Sequence, residues 1–100
     1  MKRIIDGKKY DTDTARFVAS DEDHRGDFRY WCEDLYCKRT GEYFLYGEGG
    51  PMSKYAKSCG CNSWTGSEAI VPLTESEARK WAEHHMSVDA YEAEFGEVEE

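Results

Sequence analysis

The chain has 100 residues, 39% hydrophobic and 34% charged, with 21 acidic against 13 basic residues and a net charge of −8. That length makes one domain, and an aromatic share of 14% argues for a folded domain over a disordered chain. No run approaches the ~18 apolar residues of a transmembrane helix, and the acidic balance argues against ordinary nucleic-acid binding, which needs surplus Lys and Arg.

Met1-Lys2-Arg3-Ile4-Ile5-Asp6 has basic residues but no apolar stretch behind them, so no signal peptide is expected. A cytoplasmic protein is expected, bacterial or viral by its size. Arg3-Ile4-Ile5 and Lys8-Lys9-Tyr10 read as two short strands around the hairpin turn Asp6-Gly7. Thr12 or Asp13 then suits the N-cap of a brief helix through Ala19. Residues 20–27, without one apolar side chain, read as an exposed loop.

Residues 28–37 and 42–47 are rich in aromatics, which favour a pleated surface, and Lys38-Arg39-Thr40-Gly41 suits the turn between them. The expectation is a β-hairpin over 28–47 at the centre of the sheet. Alternation places Trp31, Leu35 and Cys37 on one face, and Phe28, Tyr30, Cys32 and Tyr36 on the other. Gly47 to Pro51 should break the strand, a short helix is expected around Ser53–Lys57, and Ser58–Ser63 reads as a loop. Residues 68–73 form an expected edge strand ending at Pro72.

Thr74-Glu75-Ser76-Glu77 is a capping box, and Ala78, Trp81, Ala82 and His85 follow at helical spacing. A helix is therefore expected over 75–86 with Trp81 buried. Ser87 caps a second helix over 89–95, anchored by Tyr91 and Phe95 and stopped by Gly96, with 97–100 frayed. The fold class is α+β: one small domain with an antiparallel sheet and C-terminal helices packed on one face.

Cys32-x4-Cys37 and Cys59-x-Cys61 form two pairs. Four paired cysteines in a cytosolic chain suggest a structural zinc with Cys32, Cys37, Cys59 and Cys61 as ligands. Free buried cysteines and a disulfide are the alternatives, and a site drawing on His24 is a variant. The spacing is not standard, and a bulge near Glu33-Asp34 would be needed to bring Cys32 and Cys37 to one side. A closed four-thiolate site has no open position and is not catalytic.

Catalytic patterns are missing. His84 and His85 point about 100° apart on a helix and cannot chelate one ion together. Gly47-Glu48-Gly49-Gly50 with Ser53-Lys54 lacks the order of a P-loop. No nucleophile, base and orienting group fall into a recognisable arrangement, so the chain is not expected to be an enzyme.

Three stretches, IIDGKKYDTDTA (4–15), LYCKRTGEYFLYGEGG (35–50) and IVPLTESEARKWAE (70–83), resemble small acidic proteins of phages, plasmids and integrative elements of Gram-positive bacteria. Some of that group look like anti-CRISPR proteins directed at the type II effector nuclease. The resemblance implies no catalytic residue and does not require the cysteines.

It implies a protein partner, the type II CRISPR effector nuclease, with no direct contact to nucleic acid and none to membrane. Nine acids and two bases lie in residues 74–100, so an acidic face could occupy a basic nucleic-acid channel and block guide or target loading. The candidate partner-binding residues are Glu75, Glu83, Asp89, Glu92, Glu94 and Glu97, with Tyr36, Tyr43 and Tyr46 as anchors. The competing expectations are an accessory or regulatory protein of a mobile element with another protein partner, and a zinc-stabilised domain of nucleic-acid metabolism.

Overall fold

Alternating apolar positions on two adjacent strands need cover on both faces, and the fold supplies it from four pieces of chain. The computed structural model describes residues 1–23, 28–60 and 63–97, the side chains of 59, 60 and 63 excepted. Strands β3 (Arg16–Asp23), β4 (Trp31–Cys37), β5 (Tyr43–Gly49) and β8 (Ser67–Leu73) form an antiparallel sheet in the order β3-β4-β5-β8. Two separate hairpins accompany it: β1 (Lys2–Ile5) with β2 (Lys8–Asp11), and β6 (Lys57–Gly60) with β7 (Ser63–Thr65). Helices α1 (Glu75–His85) and α2 (Val88–Phe95) follow. The architecture is α+β, as the sequence implies.

One face of the sheet carries the helices. Leu35 and Cys37 of β4 and Tyr43 and Leu45 of β5 pack against Ala78, Trp81 and Ala82 of α1, with Tyr91 and Phe95 of α2 at the rim. Leu35, Ala78 and Ala82 are fully buried. The Thr74–Glu77 capping box forms as read: Thr74 Oγ1 accepts the Glu77 N–H at 3.1 Å, and Glu77 Oε1 accepts the Thr74 N–H at 2.9 Å. Ser87 caps α2, and Gly96 ends it at φ 94°.

The opposite face is half covered. Tyr10 of the β1–β2 hairpin stands edge-on to Phe44, 5.5 Å between centroids, and Tyr36 stacks on Phe44 at 5.3 Å. Ile5, Met1 and Ala15 complete this smaller core with Ile70. The hairpin turns where expected, with Asp6 at φ 51° and Gly7 at φ 77°, a pair of left-handed residues that suits a two-residue connection.

The remaining part of the helix-side face is covered by the loop from Gly50 to Ala56. Gly50 N–H donates to Tyr30 O at 2.9 Å and Met52 N–H to Phe28 O at 2.6 Å, which fastens the loop over the entry to β4. A Cβ on Gly47 would collide with the Tyr55 ring, and one on Gly49 with the Ser53 side chain and the Tyr30 carbonyl. Those glycines therefore do not end β5. They leave it flat so that the loop can lie across it.

Five local expectations are corrected. Residues 16–23 form β3, not a helix and loop: a five-residue helix cannot offset its nucleation cost, while pairing with β4 supplies partners along one side of the backbone. Strand β5 runs on to Gly49. The expected helix at 53–57 is replaced by turns over 53–55, with the Tyr55 N–H held by Ser53 Oγ at 3.1 Å, and Lys57 opens β6. The 58–63 segment contributes to the β6–β7 hairpin. The 28–47 hairpin forms with its strands starting at Trp31, so Phe28 and Tyr30 lie ahead of the alternation. The edge position of β8 agrees with its reading.

Candidate functional site

The uncovered half of the sheet is an acidic strip. Register places Glu22 opposite Cys32, Cys32 opposite Glu48, and Glu48 opposite Glu68. These four residues form one row across β3, β4, β5 and β8 on the face away from the helices. The next row is Ser20, Asp34, Tyr46 and Ile70. Neither row holds a Lys or Arg. Directly opposed like charges on a sheet are destabilising, so Glu48 beside Glu68 costs the fold stability.

The electrostatics register this crowding. Asp34 is pushed above the usual carboxylate range by partial burial and by the charges of Glu48 and Glu22. The Cys32 thiol is pushed up by burial and by Glu22, whose Oε2 lies 3.7 Å from Sγ. Tyr46 donates its hydroxyl to Glu68, and that bond followed by burial raises the phenol.

The C-terminal acids fall into two groups. Glu83, Asp89 and Glu97 are exposed, Glu75 sits 3.7 Å from Arg79 Nε, and Glu92 is half-buried. Glu94 is turned inward. It receives both guanidinium nitrogens of Arg16 at 2.7 Å and the Tyr43 hydroxyl at 2.7 Å, with only 10% of its side chain exposed. Arg16 and Tyr43 hold its carboxyl below the usual range against the opposing effect of burial. Glu94 and Tyr43 thus tie α2 to the sheet and are not free to meet a partner. Tyr36 is occupied by Phe44 and by Phe17 at 5.8 Å, leaving Tyr46 as the anchor candidate that borders the acidic strip.

The cysteines do not assemble as their spacing suggests. Strand β4 pairs with β5 residue for residue from Trp31 to Cys37 without a bulge, so Cys32 and Cys37 point to opposite faces. Cys37 lies in the helix-side core and Cys32 on the acidic face. They cannot bind one ion together. The Cys59 side chain, Cys61 and His24 lie outside the described residues. Among the described residues no group of His, Cys, Asp and Glu is placed to hold a metal.

Sequence reasoning missed a second polar centre on the helix side. Glu33, 1% exposed, receives the Trp81 indole N–H at 3.0 Å, Lys54 Nζ at 2.8 Å and the Tyr55 hydroxyl. Burial pushes this carboxyl up, but the three donors outweigh it and hold it below the usual range. His85 lies beside it, stacked on Trp81 at 4.7 Å and edge-on to Trp31 at 5.7 Å, with Nδ1 2.7 Å from Asp21 Oδ2. Among the described residues no buried side-chain nitrogen or oxygen lacks a partner, and each ring is packed. The arrangement serves folding, and no nucleophile stands among these groups.

Fold and surface together define a small α+β protein whose sheet carries an acidic strip on the half that no other element among the described residues covers. Among the described residues no helix is long and apolar enough to cross a membrane. Compared with known proteins, the chain matches no family model, no curated protein and no solved structure.

Proposed function

We propose that this chain is a non-enzymatic inhibitor of the anti-CRISPR type, which binds a type II CRISPR effector nuclease through acidic surface and blocks the loading of guide or target DNA. The observation that carries this reading is the Glu22–Glu48–Glu68 row with Asp34, set side by side across the sheet in two rows whose positions hold no Lys or Arg. Carboxylates spaced along strands can face the cationic channel in which such a nuclease holds its heteroduplex. The exposed acids Glu83, Asp89 and Glu97 extend the negative field. A partner of that sign relieves the repulsion within the row on binding.

The test is target-DNA cleavage by a purified type II effector, with the protein added before guide, after guide or after target. Inhibition confined to the early additions supports a competitor of nucleic-acid loading. No inhibition across several divergent type II effectors overturns the reading and leaves the accessory-protein alternative.

Zinc enters the proposal only through a ligand set that does not use Cys32 and Cys37 together. Elemental analysis of chain purified without chelator tests it. About one zinc per chain, retained in Cys37→Ser and lost in Cys59→Ser, supports the site, and less than ~0.2 per chain removes it.

A further inference from the structure

Three basic residues of this acidic chain, Lys9, Lys38 and Arg39, gather at one place. A cleft of about 300 Å³ opens between β2, the Thr12–Ala15 connection and the β4–β5 turn, lined by Lys9, Asp11, Thr14, Lys38, Arg39 and Thr40. Its size is at the lower end for small-molecule sites. We infer that this cleft binds a phosphate group.

The charges fit a dianion. Asp11, 4% exposed, spends Oδ1 on the Asp13 N–H at 2.9 Å and has Oδ2 3.9 Å from Lys9 Nζ. Glu42 stands behind the turn between Lys8 at 2.9 Å and Lys38 at 3.4 Å. Among the residues that line the cleft, three cations, Lys9, Lys38 and Arg39, face one carboxylate, Asp11, a surplus of two positive charges. Arg39 makes no hydrogen bond or ion pair with any described residue, so its guanidinium fork is free for two parallel bonds to oxygen.

The cleft is also held in shape. Lys38 Nζ is pinned 4.2 Å over the Tyr10 ring, and the turn is closed by Lys38 N–H to Glu42 O at 2.7 Å and Gly41 N–H to Lys38 O at 2.9 Å. Thr40 Oγ1 is engaged with Glu42 Oε1 at 3.1 Å, while the Thr14 hydroxyl makes no bond to any described residue and can donate to a ligand oxygen. Built positive charge with an unspent fork and hydroxyl suits phosphate better than a monoanionic carboxylate, because only phosphate supplies both the second charge and the third oxygen. This inference is independent of the acidic strip.

The experiment is a ¹H–¹⁵N NMR titration of the whole chain with inorganic phosphate and pyrophosphate at constant ionic strength. Saturable shifts confined to Lys9, Thr14 and Lys38–Thr40 are expected, weakened about tenfold or more in Arg39→Gln, the worth of a charge-assisted bond, and unchanged in Lys57→Gln. Arg39 is exposed and has no partner among the described residues, so the variant keeps the fold. Adenosine 5′-monophosphate and a short phosphodiester oligonucleotide then separate the sources. Preference for the monoester assigns a small phosphorylated ligand, and equal binding of the oligonucleotide assigns a nucleic-acid backbone. Shifts that drift without saturation, or that persist in Arg39→Gln, overturn the inference as an adventitious ion only.

Discussion

Glu33 of β4 accepts the indole N–H of Trp81 of α1 at 3.0 Å, and this one bond crosses the main helix–sheet interface. Both groups are buried, and the same carboxylate also holds Lys54 and Tyr55 of the covering loop. One charge therefore fixes three pieces of chain. Glu33→Ala is expected to destabilise by about 3 kcal/mol, because it removes the acceptor that three donors share. Urea denaturation measures it, and a loss under about 0.5 kcal/mol would contradict the role assigned here.

Acid should unfold the chain through the same group. The folded values of Glu33, Asp21 and Glu94 are all lowered. A lowered carboxylate contributes stability above its unfolded pKa, about 4, and loses it as pH falls through the folded value. Asp34 runs the other way: its raised value favours the folded state only while it is protonated, and that contribution fades as pH rises. With Glu42 and Glu77, which are lowered as well, five groups against one predict a net fall in unfolding free energy below about pH 4.5. In Glu33→Gln the slope of stability with pH should be shallower, and a slope identical to that of the parent chain would remove Glu33 from the account.

Gly47→Ala tests the loop. The added methyl occupies the place of the Tyr55 ring, so Tyr55 must leave Glu33 or β5 must shift. The expected cost is about 1–3 kcal/mol, as for overpacking elsewhere. Tyr55 fluorescence quenching or hydrogen exchange across 50–56 should report a loosened loop while α1 stays protected.

Glu94 and Tyr43 separate a structural acid from an interface acid. Tyr43→Phe removes one hydrogen bond to Glu94 and should cost about 1 kcal/mol without changing partner binding. Charge reversal at Glu94 would unfold α2 from β3 and weaken binding for the wrong reason. Asp34→Asn with Glu48→Gln is the cleaner test. It relieves like-charge crowding and should raise stability by up to about 0.5 kcal/mol while weakening inhibition of the effector. Unchanged inhibition in that folded double variant would count against the strip.

The helices were legible because their signals are local. A capping box, a serine cap and a terminal glycine each act within one turn of chain, and all three appear where the sequence puts them. The hairpins β1–β2 and β4–β5 were legible for the same reason. Strand β3 was hidden because its second half, Ser20 to Asp23, carries no apolar residue and takes its place only by pairing with β4. The acidic row was hidden with it: counting back from the 38–42 turn pairs Cys32 with Glu48, but Glu22 and Glu68 join them only through the strand order. Glu33 gave no signal at all, since an acid at an inward position departs from the pattern that reveals its neighbours.

The two borders of the sheet restrict how any partner can engage it. On β8, Pro72 removes a backbone donor from the outer rim, and on β3 the rim is set with Arg16, Asp21, Glu22 and Asp23. Neither rim invites a foreign strand to zip on and lengthen the ladder. Recognition must therefore be written in side chains standing up from the sheet surface. It should tolerate changes in the partner's backbone conformation far better than changes in its charge.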